Sequence, residues 1–279
     1  MGGPRLGVAV IGAGRAGEAR IRALESSARA RLACVVSRGR SDSVSLADAL
    51  ADPSVAAAIV CTPNLLHAAA AHAALGAGKH VAVEFPLAAS AAEARSLLAD
   101  ARARGRVLHV EHIELLSPSQ AALRERAREL GRPLAGNVRF SGDEGGWIAD
   151  PALAGSPALG ALARLHRLVD LFGPAEARAA RLETRGSRRR LEVELVFAGG
   201  GAVTLCEERG AGLARATEWS IACERGRLTT PAAEPQGSLF ARDLDVFLDR
   251  IERRGESYVS DARVLELLEL VGAIERRLC

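Results

Sequence analysis

Along residues 6–110 the apolar positions recur in two alternating rhythms. Short runs rich in Val, Ile, Ala and Leu, at 6–11, 32–36, 57–61, 80–83 and 107–110, predict buried strands. The Ala/Leu/Arg segments between them, at 16–24, 46–50, 65–75 and 91–104, repeat at helical spacing. Strands this short, each followed by a helix, predict a parallel sheet joined by crossover helices.

After about residue 113 the texture changes. A polar, Gly-containing loop at 141–157 and a helix at 159–172 lead into apolar runs at 177–184, 191–197, 203–207 and 218–223. These runs are divided by Gly clusters and lie too close together for crossover helices, which predicts an antiparallel sheet. Leu191, Val193, Leu195 and Phe197 alternate with polar or smaller residues, the pattern of a sheet with one packed and one open face. Helices at 239–253 and 260–278 close the chain, the second with Ser260 as its N-cap. The expectation is an α/β protein with a Rossmann-type doubly wound domain over 1–112. An α+β domain over 113–279 would carry a large, mostly antiparallel sheet and both C-terminal helices.

A 48% apolar fraction in 279 residues suffices for two cores. Lys plus Arg, 37, nearly balances Asp plus Glu, 34, which argues against nucleic acid as the main partner. Almost all the cations are Arg, which suits an anionic substrate with carboxylates or phosphates, although compositional bias would give the same richness. Cys34, Cys61, Cys206, Cys223 and Cys279 show no CxxC spacing and no partner histidines, so neither a metal site nor a disulfide framework is indicated. The start MGGPRLGVAVIGAG enters a strand without signal-peptide features, and no apolar run reaches the length of a membrane span, so the chain is read as cytoplasmic.

Gly12-Ala13-Gly14-Arg15-Ala16-Gly17 directly follows the first strand and opens a helix. In that context Gly12 allows the tight turn, Gly14 admits a pyrophosphate, and Gly17 permits close helix–strand packing, with Arg15 and Ala16 in the same turn. At the end of the second strand, where an NAD enzyme would place Asp or Glu on the ribose, stands Ser37-Arg38-Gly39-Arg40. A hydroxyl followed by a guanidinium suits a 2′-phosphate, so NADPH is the expected cofactor, with NADH the weaker alternative.

The segments Val60-Cys61-Thr62-Pro63-Asn64-Leu65-Leu66-His67 and GKHVAVEFPL, Gly78 to Leu87, resemble two signatures of the Gfo/Idh/MocA oxidoreductase family. The resemblance implies that Thr62, Pro63, His67 and Glu84 lie at the dinucleotide. Most members carry a proton-handling lysine before the proline, and here it is Phe85. The helix that usually holds an Asp and a His for alcohol oxidation reads Gly160 to Gly173 with different spacing. Both departures argue against sugar-alcohol oxidation.

One branch, the A-type biliverdin reductases, is similar along nearly the whole chain. The likeness includes GVAVIGAGRAGEARIRAL, Val36-Ser37-Arg38, GKHVAVEFPL, LHVEHIELL (Leu108 to Leu116), RLHRLVDLFG (Arg164 to Gly173) and EERGAGL (Glu207 to Leu213). That branch typically has Tyr in place of Phe85. The resemblance implies NADPH-dependent reduction of biliverdin, or a similar tetrapyrrole, at its central methine carbon, with a proton added to a pyrrole nitrogen. Phe85 would then be an apolar wall of the site, and no lysine base would be needed. Arg164 is the first candidate for the substrate's propionates and for a catalytic role, with Arg167 and Arg215 after it; Glu84 and Glu114 are the candidate proton donors. Two other readings stand beside this one, a reductase of another planar anion and a non-catalytic dinucleotide sensor. The open sheet face could hold substrate, a second subunit, or both.

Overall fold

The computed structural model of the protein describes residues 5–231 and 238–278, so Cys279 and the first four residues lie outside the description. The chain forms two compact units.

In the first unit, strands β1 (Leu6–Ile11), β2 (Ala30–Val36), β3 (Ala57–Val60), β4 (His80–Val83) and β5 (Leu108–Val110) form one parallel sheet in the order β2-β1-β3-β4-β5. The crossovers are α1 (Arg15–Glu25), α2 (Leu46–Ala51), α3 (His67–Gly76) and α4 (Ala91–Ala103). Val8, Val10, Ile59 and Val60 are at most 1% exposed, which is why these strands are continuous apolar runs rather than alternating ones. The chain steps from β1 outward to β2, then returns past β1 to β3. A crevice therefore opens at the carboxyl ends of β1 and β3, the place where doubly wound sheets bind ligands.

The second unit contains α5 (Pro118–Leu130), β6 (Pro133–Gly142), two short helical turns α6 (Pro151–Ala154) and α7 (Pro157–Gly160), and α8 (Leu162–Phe172). Strands β7 (Ala175–Arg185), β8 (Arg188–Phe197), β9 (Ala202–Arg209), β10 (Ala216–Cys223) and β11 (Gly226–Thr229) follow. The six-stranded sheet runs β11-β10-β6-β9-β8-β7, antiparallel except where β6 pairs with β9. Leu191, Val193, Leu195 and Phe197 are buried while Glu192, Glu194 and Val196 between them are half-buried, so one face is packed and the other open. Hydrophobic patterning had not disclosed α5 and β6. β6 lies inside the sheet, between β10 and β9, yet reads PLAGNVRFSG, with only Val138 and Phe140 as large buried apolar residues.

The last two helices are α9 (Leu239–Ile251) and α10 (Asp261–Leu278), the latter capped as expected by Ser260, whose hydroxyl accepts the Arg263 N–H at 3.2 Å. Their assignment to the second domain needs correction. The first unit ends at Ile113 and takes in the later segment up to Leu265, so α9 belongs to it and the division falls inside α10. Leu244, Phe247 and Leu248 share one core with Val8, Val10, Ile21 and Leu24. Burying each such side chain contributes about 1.5–3 kcal/mol.

Candidate active site

The glycine turn has the geometry the motif requires. Gly12 sits at φ +99°, where a Cβ would lie 2.6 Å from the Cys61 carbonyl oxygen, and a Cβ on Gly17 would lie 2.0 Å from the Gly12 oxygen. Gly14 differs, because nothing stands within 4 Å of where its Cβ would be. Gly14 also caps α1 without a side-chain acceptor, so no side chain caps the first-turn N–H groups, beside exposed Arg15 and half-buried Ala16. This cradle fits a dinucleotide pyrophosphate.

At the end of β2, Ser37 is held through its N–H to the Ser43 hydroxyl at 2.6 Å. Arg40 is committed to Glu18 at 2.7 Å and to Asp42 at 2.9 Å, whereas exposed Arg38 has no ion-pair partner among the described residues. Of the two guanidiniums, Arg38 is the one without a carboxylate partner among the described residues.

Cys61, Glu84 and Glu111 occupy equivalent positions just past three neighbouring strands, their N–H groups donating to Ile11, Val60 and Val83 carbonyls at 2.7, 3.0 and 2.9 Å. The Thr62 hydroxyl is buried without a hydrogen-bond partner and follows this edge, ahead of Pro63. His67 was expected at the cofactor. Instead it is 1% exposed, with Nδ1 2.7 Å from the Pro86 oxygen and Nε2 2.6 Å from the Thr62 oxygen, and burial lowers its pKa. Both ring nitrogens thus join two strand-end loops.

Glu84 accepts Arg20 Nε at 2.7 Å, so it is an ion-pair partner and not a free acid. Phe85 lies parallel to the His112 ring, with centroids 5.5 Å apart and planes 7° apart. Behind them lies a buried polar group that sequence reasoning missed. Arg20, 1% exposed, donates to Asp243 at 2.6 Å, and Asp243 also accepts His109 Nε2 at 2.8 Å and the Tyr258 hydroxyl at 2.5 Å. Arg250 Nη1 points at His109 Nδ1 from 3.3 Å, which fixes the imidazole hydrogen on Nε2. Burial opposes ionisation of Asp243, but the Arg20 guanidinium and His109 hold its carboxyl well below the usual range. Burial, and then the charges of Glu84 and Asp243, push the Glu111 carboxyl well above it.

In the second unit, α8 directs Arg164 and Arg167 toward the packed sheet face. Arg164 is 3% exposed, donates to both Glu207 oxygens at 2.8 and 2.7 Å and to the Gly160 carbonyl, and lies 4.3 Å over the Phe140 ring. Arg164, expected at the propionates and in catalysis, is engaged here in a buried ion pair. Arg167 donates to Gln120 at 2.8 Å, stacks 5.1 Å over Trp219 and lies 3.7 Å from Glu114. Arg215 is 55% exposed, 2.8 Å from Glu114 and 5.4 Å over Phe140. Glu114, the expected proton donor, stands here as the arginines' counter-charge. Arg209, which sequence reading passed over, pairs with Glu207 at 2.8 Å and lies 4.7 Å over Phe140. Four guanidiniums facing two carboxylates leave this patch positively charged.

Among the described residues no helix is long and apolar enough to cross a membrane, and no group of three metal-ligating side chains is placed to hold an ion.

Residues 6–112 match the family described as "Oxidoreductase family, NAD-binding Rossmann fold", and residues 127–235 match "Biliverdin reductase, catalytic". The chain is 36% identical to biliverdin reductase A of Mus musculus, covering 98% of this chain and 96% of that one. It is 32% identical to the Homo sapiens counterpart, over 99% and 97%. The crystal structure of a biliverdin reductase in complex with biliverdin and NADP+, from Synechocystis sp. PCC 6803, has the same fold, with a TM-score of 0.88 at 24% identity over 98% of this chain and 99% of that one.

Proposed function

The chain belongs to the biliverdin reductase family, built on the Gfo/Idh/MocA dinucleotide-binding fold, and from that premise we propose that it reduces biliverdin to bilirubin with NADPH. The bound dinucleotide supplies hydride to the substrate's central methine carbon. Gly12, Gly14 and Gly17 bring main chain to the pyrophosphate, with Arg15, Ala16, Thr62 and Pro63 alongside, and Ser37 and Arg38 receive the ribose phosphate. Phe85 and His112 present an aromatic stack that keeps water from the reacting carbon. Arg215, half exposed, attracts the propionates, with Arg167 and Arg209 adding to its field.

One observation carries this reading. The chain has a single lysine, Lys79, and it is 8% exposed, with Nζ donating to the Asp52 and Val55 carbonyls at 2.9 and 2.7 Å. Lys79 precedes β4, whereas Phe85 follows it, so the ammonium sits at the opposite end of the strand from the chemistry. A reaction that needs a lysine acid or base is therefore closed to this protein. Reduction of an electron-poor bilin does not need one, because hydride arrives at carbon and the pyrrole nitrogen takes its proton from solvent. Glu84 and Glu114 accept from arginines and leave that step to water. The reading places the enzyme in the cytoplasm, without a nucleic-acid partner, and leaves the open sheet face as the surface through which a dimer would form.

Pure protein mixed with NADPH and biliverdin tests the proposal. Loss of the green absorbance, matched by a rise in the yellow band and by consumption of one NADPH per bilin, is the expected result. Cofactor binding without any change in the pigment would refute it.

A further inference from the structure

Tyr258 is the chain's one tyrosine and stands between α9 and α10. Its hydroxyl donates to Asp243 Oδ1 at 2.5 Å and accepts the backbone N–H of His112 at 2.8 Å. Both roles are forced, because a peptide N–H can only donate and the Asp243 carboxylate, already taking Arg20 at 2.6 Å, accepts. The phenol ring meets His109 edge-on, 5.7 Å between centroids at 68°, so the ring is fixed as well as the hydroxyl. The residue whose main chain it holds, His112, lies flat against Phe85. Each link is short, and most of the participants are buried: Asp243 and His109 are 0% exposed and His112 is 4% exposed.

Resting on the biliverdin reading above, we propose that Tyr258 is a positioning residue, which fixes the main chain at His112 and through that imidazole sets the plane of Phe85 at the carboxyl edge of the sheet. The phenol makes no contact with the reacting atoms in this scheme. Burial and then the Asp243 charge push its pKa far up, so the hydroxyl keeps its hydrogen and the link holds over the whole working range. The arrangement also explains why α9 carries a buried carboxylate. Asp243 compensates Arg20 with one oxygen and anchors the phenol with the other.

Tyr258→Phe keeps the ring against His109 and deletes both hydrogen bonds. With biliverdin as substrate, kcat falls about tenfold while the KM for NADPH stays within about twofold, the size expected for losing one well-made hydrogen bond in the path to the reacting carbon. The same substitution made on a Phe85→Leu background changes kcat by less than about twofold, because the ring it would have aligned is gone. A purely structural tyrosine gives equal losses in both backgrounds, and that additivity overturns the inference, as does an unchanged kcat in the first background. Should Tyr258→Phe fail to fold, His112→Ala preserves the bond between phenol and main chain and removes only the stacked ring. It is expected to give the same fall in kcat and the same insensitivity on Phe85→Leu; wild-type kcat in His112→Ala overturns the proposal. Wild-type protein that leaves biliverdin untouched brings down the reading on which the proposal rests, and it does so without reference to Tyr258.

Discussion

Residues whose sequence motifs look alike have been separated here by what their side chains touch. Arg38 and Arg40 are two positions apart, yet one is free to take a phosphate and the other is tied to Glu18 and Asp42. Arg38→Ala is expected to raise the KM for NADPH by about tenfold while leaving that for NADH nearly unchanged, since one charge-assisted contact is lost; equal effects on both cofactors would disprove the assignment. Arg164 and Arg215 diverge in the same way. Arg164→Ala leaves the Glu207 carboxylate, 3% exposed, with Arg209 as its remaining cationic partner, and should destabilise the fold by about 1.5–3 kcal/mol in urea unfolding. Arg215→Ala should leave the unfolding midpoint in place and raise the KM for biliverdin by about fivefold, the loss of one partly screened ion pair. The glycine turn, the Ser37-Arg38 pair and the missing lysine were legible in the sequence because each depends on local chain geometry or on one residue type. Arg164's partner was not, because Glu207 lies on a strand 43 residues away and spacing carries no trace of that pairing.

At the scale of elements, most helices and strands of the first unit could be read from their periodicity, since a buried parallel strand is a solid apolar run. The membership of α9 could not, because an amphipathic helix shows that it packs and not what it packs against. Phe247, 1% exposed in the core built on β1 and α1, makes this testable. Phe247→Ala should cost the first unit about 3–5 kcal/mol, seen in amide exchange of β1 and β3 with little change in β8 and β9; loss of protection in the second unit alone would contradict the division. The end of β5 sets a pH dependence as well. Glu111 has a higher pKa folded than unfolded, so as pH rises above the ordinary carboxylate range the unfolded chain gives up this proton first and stability falls. Asp243 has the opposite sign, contributing stability above that range and losing it as pH falls through its lowered folded pKa. Glu111→Gln should therefore change the urea midpoint little in acid and raise it increasingly toward mildly alkaline pH. A difference independent of pH would show that Glu111 is not held protonated.

Across the whole molecule, aromatic and arginine side chains rather than lysine stand at the candidate site. Its one lysine is consumed by two carbonyls before β4, its candidate acids are paired with arginine, and an aromatic stack follows the strand where a proton carrier would stand. What remains is a scaffold that can hold a dinucleotide and attract an anion, and that suits hydride delivery to a carbon needing no base. Reaction with NADPH bearing deuterium at the transferable position, followed by mass and NMR analysis of the pigment, tests this most directly. The account predicts yellow product carrying one deuterium at the central methine carbon, with its new N–H hydrogen exchanged from solvent. Deuterium found at any other carbon, or labelled cofactor recovered intact beside green pigment, would contradict it.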